Sequence, residues 1–143
     1  MIIYITDINF NLISAQRKQV QQMIKALESQ GIEYCVFSNE NITESDKNIT
    51  IHRKKHFNKL NLSLRALLHV RHHRSVYFYS RHLFFALIPL LFGYKSAYEI
   101  HDIPRKKRIL WIQKFATNIF GLKIVSISEN LSRILSGMDL IIA

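Results

Sequence analysis

Cysteine, glycine and proline are all scarce in this sequence, with one, four and two copies among 143 residues. A lone cysteine excludes a disulfide framework. Cys35 lies in the apolar run IEYCVFS and reads as a buried thiol in a reducing compartment. No internal repeat, low-complexity tract or interdomain linker interrupts the chain. The amino terminus enters MIIYITDINF without the basic n-region of a secretory signal. The longest apolar stretch, LFFALIPLLFGY, is shorter than the ~20 residues a spanning helix needs, and it contains Pro89. That stretch predicts a buried helix, in a domain that is soluble or lies on a membrane rather than through one.

Acidic residues are missing over two long intervals, 47–98 and 103–128. Arg53, Lys54, Lys55, Lys59, Arg65, Arg71 and Arg74 occupy the first. Arg105, Lys106, Lys107, Arg108, Lys114 and Lys123 occupy the second. The formal net charge is +10, which points to an anionic partner: nucleic acid, a phospholipid surface or a phosphorylated substrate. Hydrophobic residues make up 48% of the chain and charged residues 21%, a balance that supports one globular domain with its own core.

The apolar pattern alternates between β-rich runs and helix-period stretches. IIYITDI reads as a strand buried on both faces, and the spacing of Val20, Met23, Ile24 and Leu27 predicts a helix over 15–30 that Gly31 ends. IEYCVFS and ITIH follow as strands, and Leu60, Leu64, Leu67 and Leu68 mark one apolar helix face. VYFYS, a helix over 83–92, SAYEIH, a helix marked by Ile109, Ile112, Ala116, Ile119 and Phe120, and LKIVSIS continue the alternation. A short helix opens at Ser128, with Glu129 in its first turn, and SGMDLIIA reads as a turn and a seventh strand. The predicted fold is Rossmann-like α/β, a mostly parallel sheet with helices on both faces. The chain stops on an apolar residue, as a domain taken from something longer or a product that ends early would.

In an open α/β sheet, ligands gather at the carboxyl ends of the strands. Those positions hold Asp7, Asn9 and Asn11 after the first strand, and Ser80, Arg81 and His82 after the fourth. His101 and Asp102 follow the fifth strand, and Ser128 and Glu129 the sixth. A guanidinium at Arg81 suits an anion because it presents a bidentate fork. Structural roles are equally open to these residues. His101 can satisfy a buried backbone group, Asp102 can cap the helix that Pro104 begins, Arg81 can be a surface arginine at a helix start, and Ser128 and Glu129 fit helix capping.

The order VYFYSRHLFFALIPLLFGYKSAYEIHDIP, a basic helix, then LKIVSISENLSRIL resembles the amino-terminal half of family 4-type glycosyltransferases of the GT-B fold. The likeness covers essentially the whole chain and is strongest over 76–135. It implies an acceptor-side domain of a retaining, metal-independent enzyme, with a nucleotide sugar as donor substrate and no cofactor. The acceptor would be a lipid-linked or cell-surface glycan precursor. On this resemblance His101 contacts the transferred sugar or stabilises charge during glycosidic cleavage, and Asp102 orients His101 or binds an acceptor hydroxyl. Arg81 meets a phosphate or the acceptor, with Ser80, Asn9 and Asn11 completing the acceptor side. Two departures stand out. The glycine-rich turn many relatives carry after the first strand is here NFNLISAQRKQ, without glycine. The donor-binding second domain is absent from this chain, so the resemblance implies little turnover by the chain alone.

His52 and His56 lie four apart, and His69, His72 and His73 share a helix end, but their cationic neighbours and the lack of a cysteine pair argue against a metal. Arg105, Lys106, Lys107 and Arg108 precede Trp111 and Phe115, a basic surface with aromatic tips of the kind that meets an anionic membrane. The same residues are consistent with a core tryptophan and a solvated cationic edge. The expected location is cytoplasmic, peripheral on the inner membrane face. Two rival expectations are a nucleic-acid-binding module, for which no helix-turn-helix, zinc or RNP-type pattern is present, and a noncatalytic subunit that pairs with a separate donor-binding domain.

Overall fold

The computed structural model describes residues 1–7, 15–38, 49–51, 59–73, 75–101, 107–126 and 140–142. The chain is α/β and Rossmann-like, with every recorded strand pair parallel. It divides into two compact units, Met1–Val76 and Tyr77–Ala143.

In the first unit, β1 (Ile2–Ile5), β2 (Tyr34–Ser38) and β3 (Ile49–Ile51) pair in the order β3-β2-β1. Both β1 and β2 are buried through nearly every residue, as expected of continuous apolar strands covered on two faces. Cys35 is buried within β2 and forms no disulfide. Helix α1 (Ala15–Ser29) buries Val20 and Ile24, and the Tyr34 hydroxyl ties β2 to it by donating to Glu28 Oε1 at 2.6 Å. Gly31, at φ +65°, then reverses the chain. Its N–H reaches Glu28 O, and Ile32 N–H reaches Leu27 O, so the last carbonyls of α1 are paired through a left-handed residue.

Helix α2 (Lys59–Val70) packs against β1 and β2 through Leu62, Ala66, Leu67 and Val70. This corrects the leucine face expected from the sequence. Of Leu60, Leu64, Leu67 and Leu68, only Leu67 is buried, and the other three are exposed. Two apolar stripes compete on this helix, and the one containing Ala66 and Val70 lets the helix approach the sheet more closely.

In the second unit, β4 (Tyr77–Ser80), β5 (Lys95–Ile100), β6 (Lys123–Ser126) and β7 (Leu140–Ile142) pair in chain order. Among the described residues, two helices lie between them, α3 (Leu83–Leu91) and α4 (Lys107–Phe120). Period-two alternation separates the faces on β4 and β6, while β5 also buries Ala97 on the second face and leaves Tyr98 half-buried on the first. Phe78, Ser80, Ser96, Ile100, Ile124 and Ser126 are buried, whereas Tyr77, Tyr79, Glu99, Lys123 and Val125 are half-buried. Helices α3 and α4 cover the first face. Ala86 and Leu90 meet Ala116 and Leu122, and Tyr98 packs onto that cluster. Ser96 Oγ donates to Ala86 O at 2.8 Å and fixes α3 on β5.

The apolar marks expected for α4 are also corrected. Its buried residues are Gln113, Ala116 and Thr117, whereas Ile112, Ile119 and Phe120 are exposed. Among the described residues, no helix is long and apolar enough to cross a membrane.

Candidate functional site

The carboxyl ends of β4 and β5 bring two distant segments together. Register pairs Tyr79 with Ala97 and Ser80 with Tyr98, so Tyr79 and the following Arg81 share the sheet face that carries Glu99 and His101. Arg81 Nε–H donates to His101 Nε2 at 2.6 Å. The same Nε2 lies 2.6 Å from Glu99 Oε1, and Arg81 Nε lies 3.7 Å from that oxygen. The Tyr79 hydroxyl donates to Glu99 Oε2 at 2.5 Å.

These contacts do not all form at once. An unprotonated Nε2 accepts from Arg81 and then faces the carboxylate with a lone pair. An Nε2 that carries hydrogen donates to Glu99 and then faces the arginine N–H with its own. The imidazole therefore stands between a cation and an anion, and its proton decides which one it joins. Histidine suits that position because its Nε2 can either accept from the arginine or, when it bears hydrogen, donate to the carboxylate.

The cluster is neither sealed nor open. The side chains of Arg81, Glu99 and His101 are 16%, 15% and 21% exposed. Arg81 Nη1 is buried and finds no hydrogen-bond partner among the described residues. A guanidinium nitrogen without a partner costs free energy, on the order of 1–3 kcal/mol, which an anionic or hydroxyl-bearing ligand would recover.

The turn that carries Arg81 is built locally. Ser80 Oγ accepts from His82 N–H at 3.1 Å, and His82 Nδ1 accepts from Phe84 N–H at 3.2 Å as the cap of α3. Ser80 is 1% exposed, so its hydroxyl closes this turn rather than facing solvent. Of the residues expected at the acceptor side and the catalytic position, the structure gathers Arg81 and His101. Asn9, Asn11 and Asp102 lie outside the described residues, as do Ser128 and Glu129. Within the expected membrane-facing set, Lys107, Arg108, Trp111 and Phe115 are exposed on α4, while Arg105 and Lys106 are again outside the described residues.

Glu99 and Tyr79 were not singled out as site residues by sequence reasoning. The signal was parity: Tyr79-x-Arg81 on one strand and Glu99-x-His101 on the next lie on the same side once the two strands pair in register. The sequence suggested Asp102, which lies outside the described residues, as the carboxylate that orients His101; among the described residues Glu99 stands in contact with the ring.

Among the described residues, no group of three or more histidine, cysteine or acidic side chains could hold a metal ion. His72 Nε2 accepts from Arg71 Nε–H at 2.8 Å, and His69 stacks edge-on against Phe37. His52 and His56 lie outside the described residues. No protein-family model matches the chain, and no curated protein sequence matches it either.

Proposed function

We propose that the chain is the acceptor-binding half of a retaining glycosyltransferase, which passes a sugar from a nucleotide-sugar donor to a lipid-linked or cell-surface glycan precursor. The observation that supports this reading is the Arg81–His101–Glu99 group at the carboxyl ends of two adjacent parallel strands, where α/β sheets hold their ligands. Arg81 Nη1, without a partner among the described residues, supplies a donor for a phosphate or an acceptor hydroxyl. The His101 ring supplies a hydrogen-bonding group at the transferred sugar, where it offsets charge as the glycosidic bond breaks. Glu99 acts as a positioning residue: it holds Nε2 in place and is itself held by Tyr79. In this reading, donor gripping and turnover require the second half of the enzyme.

The test follows the side-chain nitrogens of Arg81 and His101 by NMR while a short-chain polyprenyl diphosphate-linked sugar is added to the full chain. Both signals are expected to move, and the binding is expected to weaken in Arg81→Lys and to vanish in His101→Ala. Signals that ignore the glycolipid and respond to short RNA would overturn the reading in favour of a nucleic-acid module. Sustained sugar transfer by this chain alone, measured with a panel of nucleotide sugars, would overturn the half-site part of it.

A further inference from the structure

Helix α4 packs Ala116 and Leu110 onto the sheet but leaves its aromatic residues and several isoleucines outside. Gln113 and Thr117 face the core, while Trp111, Ile119 and Phe115 are 66%, 60% and 43% exposed. At 100° per residue, Trp111, Phe115 and Ile119 form one stripe opposite the buried face, with Arg108 at its head and Lys107 and Lys114 on its flank. The Trp111 and Phe115 rings stack at 5.3 Å with 19° between their planes, in contact with solvent rather than with a core.

Helix α3 also exposes apolar side chains. It packs beside α4 on one face of the sheet, and outside that contact it exposes Phe84 and Leu91, with Phe92 exposed at its C-cap, the last two by 65% and 63%. Monomeric proteins rarely leave an apolar area of this kind uncovered.

Charge selects the occupant. Neither α3 nor α4 contains an acidic residue, and the described cations beside the stripe are Lys107, Arg108 and Lys114, all exposed. A wide apolar face with aromatic rings, edged by lysine and arginine, is the chemistry of a helix lying in the headgroup region of an anionic bilayer. The cores of protein interfaces, in contrast, are depleted of lysine. The polar core-facing side of α4 does not oppose this arrangement, because it keeps the helix attached to the sheet while the outer side enters the lipid.

We propose that the outer faces of α3 and α4 form one docking surface for an anionic lipid bilayer. Trp111, Phe115, Ile119, Leu91 and Phe92 enter the acyl boundary, and Lys107, Arg108 and Lys114 meet lipid phosphates. The surface does not depend on the sugar-transfer reading, and its test contains no sugar.

Trp111 is the sole tryptophan, so its emission reports on this surface alone. The full chain is titrated with vesicles of phosphatidylcholine and phosphatidylglycerol in equal parts, and separately with phosphatidylcholine vesicles. With the anionic vesicles, the emission is expected to shift to the blue and to be quenched by lipids brominated along their acyl chains. The neutral vesicles are expected to bind at least about tenfold more weakly. Lys107→Glu with Lys114→Glu is expected to lower anionic-vesicle binding by roughly tenfold or more. Leu91→Ser with Ile119→Ser is expected to remove the bromolipid quenching, while circular dichroism stays that of the parent chain. Three results would overturn the proposal. One is emission unchanged by anionic vesicles. Another is a blue shift that grows with protein concentration in the absence of lipid, with a doubled mass in sedimentation, which would assign the face to a second copy. The third is a response to short RNA without bromolipid quenching, which would assign the cationic flank to nucleic acid.

Discussion

Helices α1 and α4 are nearly equal in length, 15 and 14 residues, yet they divide their side chains differently. Helix α1 buries Val20 and Ile24 and leaves Lys18, Gln19, Gln22 and Lys25 to solvent. Helix α4 buries Gln113 and Thr117 and leaves Trp111, Ile119 and Phe120 outside. Water alone would select the arrangement of α1. Exposed apolar residues on α4 are what the proposed lipid-docking face would account for.

Truncating the two helices should expose this difference. The largest effect is expected from Ile24→Ala, which empties a buried position and should cost about 2–4 kcal/mol in urea denaturation. Ile119→Ala, at 60% exposure, should change stability in lipid-free solution by no more than about 0.5 kcal/mol. Equal costs for the two would mean that α4 is packed on both sides, and the comparison would fail.

Gln113 sharpens the comparison from within. It is 0% exposed, and neither Nε2 nor Oε1 finds a hydrogen-bond partner among the described residues. Gln113→Leu keeps the volume and removes the unpaired amide, so it should stabilise the chain by about 1–3 kcal/mol. A loss of similar size in calorimetry would reveal a partner that holds the amide.

The carboxyl end of α4 should prove as strict as that of α1. Gly121 has φ +70°, and nothing lies within 4 Å of where a Cβ would stand, so the penalty for a side chain is conformational alone. Gly121→Ala should cost about 1–2 kcal/mol by thermal unfolding. No measurable cost would show that the turn relaxes freely.

The smallest effect concerns the sheet face turned away from α3 and α4. Burial raises the Tyr77 phenol above its ordinary value of 10.0, against an opposing pull from Lys123. The unfolded chain therefore releases that proton before the folded one does, and stability is unaffected below the ordinary phenol range but falls as pH rises through it. Tyr77→Phe should lose part of that alkaline decline relative to the parent chain, read as a flatter midpoint between pH 9 and pH 11. An identical decline in both proteins would place the ring in water.

Much of the architecture was legible because it is local. The order of strands and helices followed from alternating β-rich runs and helix-period stretches, and Gly31 marked the end of α1 as expected. The helix faces were legible only in part. Leu60, Leu64 and Leu68 form as regular a stripe as Leu62, Ala66 and Val70, and periodicity has no term that prefers the smaller residues. Close approach to β1 and β2 made that choice. In the candidate site, the sequence named Arg81 and His101 separately, by their positions after strands. It did not pair them, and it did not single out Glu99 and Tyr79.

The sequence by itself determined the α/β class, the strand and helix order, and the basic, acid-poor character of residues 47–98 and 103–128. Those properties depend on neighbours along the chain or on composition. Only the tertiary structure decided that His101 Nε2 lies 2.6 Å from both Arg81 and Glu99, and that the aromatic residues of α4 face outward. Both outcomes depend on strand register and on which side of a helix meets the sheet. Contacts between residues twenty positions apart settle these, and no window along the sequence contains them.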